Sequence, residues 1–168
     1  MSYSKILEFT FAVITYNSEK FILYTLESIK YQITKYGKKK KIYFIISDDA
    51  SKDKTVTLIK SWIEQNNRIF ETCEVIENSQ NEGTVANYNK VISKIKTQYF
   101  HIIAGDDLYT HNNLFEVFFK LKRDICLTSV PYTLMNDKLI FEKSRFLRLI
   151  NLDAHKHDNA TFVTRKII

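Results

Sequence analysis

The amino-acid sequence predicts an α/β fold, a three-layer α/β/α sandwich on a mainly parallel sheet, and two observations predict it. The first is alternation: short apolar runs at Phe9–Thr15, Ile42–Ile46, Cys73–Ile76 and Tyr99–Ile103 are separated by segments whose apolar residues recur every three or four positions. Strands alternating with helices of about ten to fifteen residues make right-handed βαβ units, and a sheet built from them is covered on both faces. The second is that three of these runs end in polar clusters, Tyr16-Asn17-Ser18, Asp48-Asp49-Ala50-Ser51 and Gly105-Asp106-Asp107. An open parallel sheet binds its ligands outside the carboxyl ends of its strands.

In chain order, Phe9–Thr15 is the first strand, and Asn17 or Ser18 is suited to cap the helix that follows. Ile22, Leu26, Ile29 and Ile33 line one face of that helix, and Gly37 stops it. Ile42–Ile46 is the second strand; Ser51 is a candidate cap, and Val56, Ile59 and Ile63, with Leu58 and Trp62 beside them, mark the second helix. Cys73–Ile76 is a shorter third strand, followed by a polar loop to Gly83 and a third helix expected to carry Val85, Tyr88, Ile92 and Ile95 on one face. Tyr99–Ile103 is the fourth strand, Leu114, Val117, Phe118 and Leu121 mark a fourth helix, and Ile125–Val130 is a further strand closed by Pro131. From Tyr132 the alternation breaks down: Leu139–Phe141 reads as a short strand, Ser144–Ile150 as a helical turn, and Asn151–Asn159 as a polar loop. His155 and His157 in that loop have no further His or Cys nearby and are read as solvated rather than as metal ligands.

Composition sets the bounds. With 168 residues, 45% of them hydrophobic, one Pro and three Gly, the chain is expected to form one domain without a flexible linker. Cys73 and Cys126 lie far apart in apolar surroundings, which favours reduced core thiols and a cytoplasmic setting. No apolar run approaches the roughly 18 residues of a membrane span. Twenty-five Lys and Arg against 19 Asp and Glu, a net charge of +6, favour anionic partners. Much of that excess sits in Lys35 and Lys38–Lys41, read as a solvated loop with a membrane-docking patch as the alternative. Aromatic residues do not interleave with it in the manner of a nucleic-acid surface, so none is expected.

The three strand ends together offer what a nucleotide needs. Tyr16 is able to stack on a base, and a carboxylate at Asp48 or Asp49 to accept from an imide N–H or a ribose hydroxyl. Asp106 and Asp107 form a pair suited to Mg²⁺ or Mn²⁺, whose remaining positions water and phosphate oxygens fill. Asn17, Ser51 and the Asp-Asp pair also have a plainer reading as helix caps. Four carboxylates at one end of a sheet repel one another unless a cation or a donor-rich ligand is present, which favours binding.

In order and spacing, Ile14-Thr-Tyr-Asn17, Asp48-Asp-Ala-Ser51, Asn81-Glu-Gly83 and Gly105-Asp-Asp-Leu-Tyr109 resemble the motifs of a family 2 glycosyltransferase of the GT-A fold, over about residues 9–121. The resemblance implies a nucleotide-diphospho-sugar donor, with UDP favoured, a divalent metal (Mn²⁺ or Mg²⁺), and inverting transfer of the sugar to an acceptor hydroxyl. It gives Thr15 and Tyr16 to the nucleoside, Asp49 to the base, Asp106 to the ribose and diphosphate beside the metal, and Asp107 to direct metal ligation. It also suggests an acceptor such as a lipid-linked glycan, polysaccharide or glycoconjugate synthesis, and peripheral association with the inner face of a membrane. Two positions depart from the pattern: Ala104 stands where many members have Asp, and Tyr88 where many have Arg. The family's general base comes from an acidic residue well downstream, and the segment 159–168 resembles the strand region before it. The sequence is therefore expected to hold a donor-binding half, about 9–121, and an incomplete acceptor half, about 122–168, within one domain. Asp153 and Asp158 precede that strand, in the polar loop, and the catalytic base stays unassigned. Two rivals remain: a catalytically silent nucleotide-sugar binder on the same scaffold, and a phosphotransferase or response-regulator-like domain. The second lacks both a Gly-x-x-x-x-Gly-Lys loop and a suitably placed Lys.

Overall fold

A computed structural model describes residues 6–116 and two short strands further on. Contacts cluster into two compact units, Met1–Lys120 and Leu121–Ile168. In the first unit the order is β1 (Leu7–Thr15), α1 (Ile22–Tyr36), β2 (Lys40–Asp48), α2 (Thr55–Asn66), a 3₁₀ turn (Asn67–Ile69), β3 (Thr72–Glu77), α3 (Thr84–Lys94) and β4 (Tyr99–Ala104). The four strands form one parallel sheet in the order β3-β2-β1-β4. In the second unit β5 (Tyr132–Met135) pairs antiparallel with β6 (Lys138–Phe141). The expected short strand at Leu139–Phe141 is thus part of a hairpin whose first strand the sequence reading passed over. The fourth helix beyond residue 116, the strand at Ile125–Val130, Cys126, the turn at Ser144–Ile150, and the loop with Asp153, His155, His157 and Asp158 lie outside the described residues.

Strand parity sorts the core into two layers. Phe9, Phe11 and Val13 of β1, Ile42, Phe44 and Ile46 of β2 and Ile103 of β4 pack with Ile22, Leu26, Ile29 and Ile33 of α1 and with Ile59 and Trp62 of α2. Burying each such side chain contributes about 1.5–3 kcal/mol relative to leaving it exposed, so the apolar stripe of α1 alone fixes that helix on the sheet. Trp62 Nε1 donates to Glu27 Oε1 at 2.7 Å and links the two helices. The opposite face is thinner: Ala12, Ile45 and Val91, with Ile14, Ile76, Ile95 and Ile102 against them. β1 is buried on both faces, which explains its continuous apolar run.

Three local expectations are corrected. α1 begins at Ile22 and α2 at Thr55, so Asn17, Ser18 and Ser51 cap neither helix through their side chains. The polar residues between strand and helix instead lace the two loops together. Asn17 Oδ1 accepts from the Lys52 amide at 2.8 Å, Ser51 Oγ accepts from the Asn17 amide at 2.8 Å, and Thr55 Oγ1 accepts from the Ser18 amide at 2.7 Å. On α3 the buried positions are Asn87 and Val91, whereas Val85 is 63% exposed. The helix buries a polar residue because Asn87 Nδ2 reaches the Ser47 carbonyl at 3.0 Å and its Oδ1 accepts from the Ser47 hydroxyl, a satisfied pair at the end of β2.

Candidate active site

The strand order has a functional consequence. The chain winds outward from β1 to β2 to β3, then crosses back through α3 to lay β4 against the other side of β1. The carboxyl ends of β1 and β4 therefore flank the topological switch point, where a crevice opens in sheets of this kind. Thr15 sits at the end of β1, in register with Asp48 of β2, and Ile14 is in register with Ala104 of β4. The five residues singled out above, Thr15, Tyr16, Asp49, Asp106 and Asp107, are all brought to this one edge.

They are held there by backbone bonds between the strand ends. The Asp49 amide donates to the Thr15 carbonyl at 2.9 Å, and the Gly105 amide to the Ile14 carbonyl at 2.9 Å. Gly105 is required by close approach: a Cβ on it would stand 2.4 Å from Thr15 Oγ1 and 2.7 Å from Thr15 Cβ. Thr15 is buried, and its Oγ1 has no hydrogen-bond partner among the described residues. Tyr16 is 46% exposed, so its ring is open to a flat ligand.

The carboxylates divide sharply. Asp48 Oδ2 accepts from the Ser51 amide at 2.8 Å and its Oδ1 from the Ser51 hydroxyl, which closes the turn after β2. Asp49 is only 3% exposed, and its carboxylate accepts from Asn78 Nδ2 at 2.8 Å, the Glu82 amide at 2.9 Å and the Gly83 amide at 2.8 Å. Gly83 takes φ of +86°, in the region that favours glycine, and opens α3. Lys90 Nζ extends the network to Asn78 Oδ1 at 2.7 Å and Glu82 Oε2 at 3.1 Å. Burial pushes the Asp49 carboxyl upward, but the bonds from Glu82, Asn78 and Gly83, together with the Lys90 charge, outweigh it and hold the group below its usual range. A carboxylate has about four acceptor positions, so three donors leave Asp49 one for a ligand.

Asp106 and Asp107 are both exposed. The Asp107 carboxyl is pushed up from its usual range by burial and by the charge of Asp106 beside it. The four-carboxylate repulsion expected from the sequence is thus narrower than anticipated. Hydrogen-bond donors support the carboxylates of Asp48 and Asp49, whereas at 106–107 the charge of Asp106 acts against that of its neighbour. Among the described residues there is no group of three or more His, Cys, Asp or Glu that could hold a metal by itself. Two adjacent, exposed carboxylates nevertheless fit a hard divalent cation that takes its other oxygens from water and a diphosphate.

The sequence reading missed what supports this pair. Polar side chains of α1 hold the loop from Gly105 to Leu114: Thr25 Oγ1 donates toward the Gly105 carbonyl at 2.9 Å and the Asp107 carbonyl at 2.6 Å. Ser28 Oγ accepts from the Tyr109 amide at 3.0 Å, and Gln32 Nε2 donates to the Thr110 and Asn112 carbonyls at 2.7 and 2.8 Å. The available signal was a second stripe on α1, polar and with the same helical period as the apolar one. Beneath the loop, His101 Nδ1 and the Tyr109 hydroxyl share a hydrogen bond at 2.7 Å. Burial pushes the imidazole down to about 4 and the phenol up, so both are neutral anchors at physiological pH. Elsewhere Cys73 is a free, half-buried thiol pushed up to about 11 by burial, and an inert core group. No helix among the described residues is long and apolar enough to cross a membrane.

Comparison with known proteins identifies the fold and the family. The chain is similar to S. aureus TarS residues 1–349 in complex with UDP, at 22% identity and a TM-score of 0.56, over 67% of this chain and 31% of that one. It is also similar to the mannosyltransferase PcManGT from Pyrobaculum calidifontis in complex with GDP-Man and Mn²⁺, at 24% identity and a TM-score of 0.54, over 60% of this chain and 28% of that one. These likenesses establish the GT-A fold. Among curated sequences, the uncharacterized proteins Mb1547 of Mycobacterium bovis and Rv1520 of Mycobacterium tuberculosis are each 31% identical over 97 residues. That stretch is 58% of this chain, and it spans about a quarter, 26%, of either relative. The family model described as Glycosyl transferase family 2 matches residues 10–166, nearly the whole sequence, and the chain therefore belongs to glycosyltransferase family 2.

Proposed function

We propose that this chain binds a nucleotide-diphospho-sugar, a UDP-sugar in the first instance, at the carboxyl ends of β1, β2 and β4, and takes part in inverting transfer of the sugar to an acceptor hydroxyl. The observation that carries the reading is the exposed Asp106–Asp107 pair at the switch point, with the open ring of Tyr16 on the neighbouring strand end. Asp107, with Asp106 beside it, would hold Mn²⁺ or Mg²⁺. Bound there, the cation would neutralise the diphosphate and stabilise it as a leaving group. Thr15 and Tyr16 would hold the nucleoside, and the remaining acceptor position of Asp49 would take the imide N–H of uracil. The TarS complex with UDP and the PcManGT complex with GDP-Man and Mn²⁺ support this class of donor and metal. In the transfer, the acceptor oxygen attacks the anomeric carbon, the bond from that carbon to the diphosphate breaks, and the hydroxyl proton passes to a general base. The residue that serves as base stays unassigned, and we place the reaction on the cytoplasmic face of a membrane that presents a lipid-linked acceptor.

Titration calorimetry with UDP, in Mn²⁺ and again with chelator, tests the site. Binding is expected to need the metal, and UDP is expected to bind more tightly than CDP, whose ring nitrogen has no proton to offer Asp49. Affinity indifferent to metal overturns the assignment, and equal affinity for UDP and CDP overturns the placement of the base. An assay of UDP release over a panel of donors and acceptors separates a transferase from a silent nucleotide-sugar binder.

A further inference from the structure

We propose that Thr25, with Ser28 and Gln32 on the same stripe of α1, is a positioning residue that fixes the backbone of the Asp106–Asp107 loop in the shape that receives a divalent cation; the proposal rests on the reading of the site given above. Among the described residues, the loop from Gly105 to Leu114 has two backbone bonds near its start, the Gly105 amide to the Ile14 carbonyl at 2.9 Å and the Asp107 amide to the Ala104 carbonyl at 3.1 Å. Side chains of α1 hold it as well. Thr25 holds the carbonyls of Gly105 and Asp107, Ser28 the amide of Tyr109, and Gln32 the carbonyls of Thr110 and Asn112. Gln32 Oε1 also accepts from the Leu114 amide at 3.1 Å, and the Tyr36 hydroxyl donates to the His111 carbonyl at 2.7 Å. Positions 25, 28, 32 and 36 are spaced by three, four and four, one face of a helix, so a single rigid element grips the loop at successive points.

Burial makes the case stronger. Thr25 and Gln32 are each 1% exposed, on a helix whose neighbouring face is apolar. An aliphatic residue at either place would serve the packing of α1 without desolvating a polar group, which is costly unless every bond is made. These side chains therefore answer a need of the loop and not of the helix. The contact at Asp107 is the most direct, because Thr25 holds the carbonyl of the residue whose carboxylate would meet the cation. Supports of this kind around metal ligands typically change metal affinity about 10- to 100-fold when removed.

The test is a set of three variants. Thr25→Val keeps the shape and removes the hydroxyl, Thr25→Ser keeps the hydroxyl, and Ser28→Ala reaches the loop from a half-buried site that is less demanding on folding. Each is titrated with UDP plus Mn²⁺ and with UDP plus chelator, and amide exchange is followed at Tyr109 and Leu114. Thr25→Val is expected to lower the Mn²⁺-dependent affinity about tenfold or more, with binding in chelator unchanged, and Thr25→Ser to restore it. Ser28→Ala is expected to speed exchange at Tyr109 and to lower the metal-dependent affinity by a smaller factor. If wild-type binding depends on metal but Thr25→Val and Ser28→Ala leave that dependence intact, the positioning role is wrong and the site reading stands. Equal losses with and without metal mark a purely structural role and also overturn it. If the wild-type chain binds UDP without regard to metal, the site reading fails first, and the positioning role fails with it.

Discussion

The same dipeptide, Asp-Asp, occurs twice at the same edge of the sheet, at the end of β2 and after β4, and the two copies live in opposite environments. Asp48 and Asp49 are buried and supplied with donors, and the Asp49 carboxyl is held below its usual range. Asp106 and Asp107 are exposed, and the Asp107 carboxyl is pushed up by burial and by its neighbour's charge. The difference arises in what each loop packs against. The turn after β2 meets the amides that open α3, whereas the turn after β4 is held from behind by α1 through backbone carbonyls, leaving its carboxylates outward. One pair organises the protein around itself; the other is left in want of positive charge.

The largest test of this contrast is Asp49→Ala, which leaves the Asn78 amide and the Glu82 and Gly83 N–H groups without their acceptor. A loss of about 3 kcal/mol is expected, from a cost of about 1–3 kcal/mol for each unsatisfied buried group and partial relief by water. Urea unfolding reads it, and a midpoint equal to that of the wild type would show that the network is ornamental. Asp107→Asn should do the reverse: little change in stability, or a small gain from relieved repulsion, but a fall in Mn²⁺-dependent UDP affinity on the order of a hundredfold, about 2.8 kcal/mol. Calorimetry with and without chelator checks it. Next is Gly105→Ala, where the added methyl meets Thr15 and must displace strand ends; overpacking of this kind costs about 1–3 kcal/mol. A thermal melt unchanged by that variant would disprove the close contact.

The finest test is pH. The folded pKa of Asp49 lies below its ordinary 3.8, so its ionised form contributes stability that is present above that value and is lost as pH falls through the folded pKa. The folded pKa of Asp107 lies above 3.8, so its ionisation imposes a penalty that is absent below that value and complete above the folded pKa. Unfolding midpoints from pH 7 into acid should therefore show the deficit of Asp49→Asn shrinking and any advantage of Asp107→Asn vanishing. Parallel curves for the two variants would contradict the division between the pairs.

Much of this was legible from residue pattern alone. The apolar stripe Ile22, Leu26, Ile29, Ile33 placed α1 because a helical period and a buried face are a local signal. The polar clusters after β1, β2 and β4 marked the edge of the site, since a continuous apolar run can only end where the chain leaves the core. The failures have one cause. Asn17, Ser18 and Ser51 looked like helix caps because capping is a local habit of those residues, yet Asn17 Oδ1 and Ser51 Oγ accept from amides more than 30 positions away on the neighbouring loop, and the Ser18 hydroxyl turns back to the Tyr16 carbonyl. Val85 looked like core by spacing, but α3 is short and spends its inward face on Asn87 and Val91.

By itself the sequence determined the alternation of elements, the family's motif order and the two acidic pairs, because each is written in neighbouring residues. Only the tertiary structure decided which pair would be buried among donors and which left exposed. That choice depends on the strand order β3-β2-β1-β4, which brings the amides of Glu82 and Gly83 to Asp49 and the side chains of Thr25 and Gln32 behind Asp107. Asp49 is held below its usual range by donors that are distant in sequence, and those donors reach it only when the sheet is assembled.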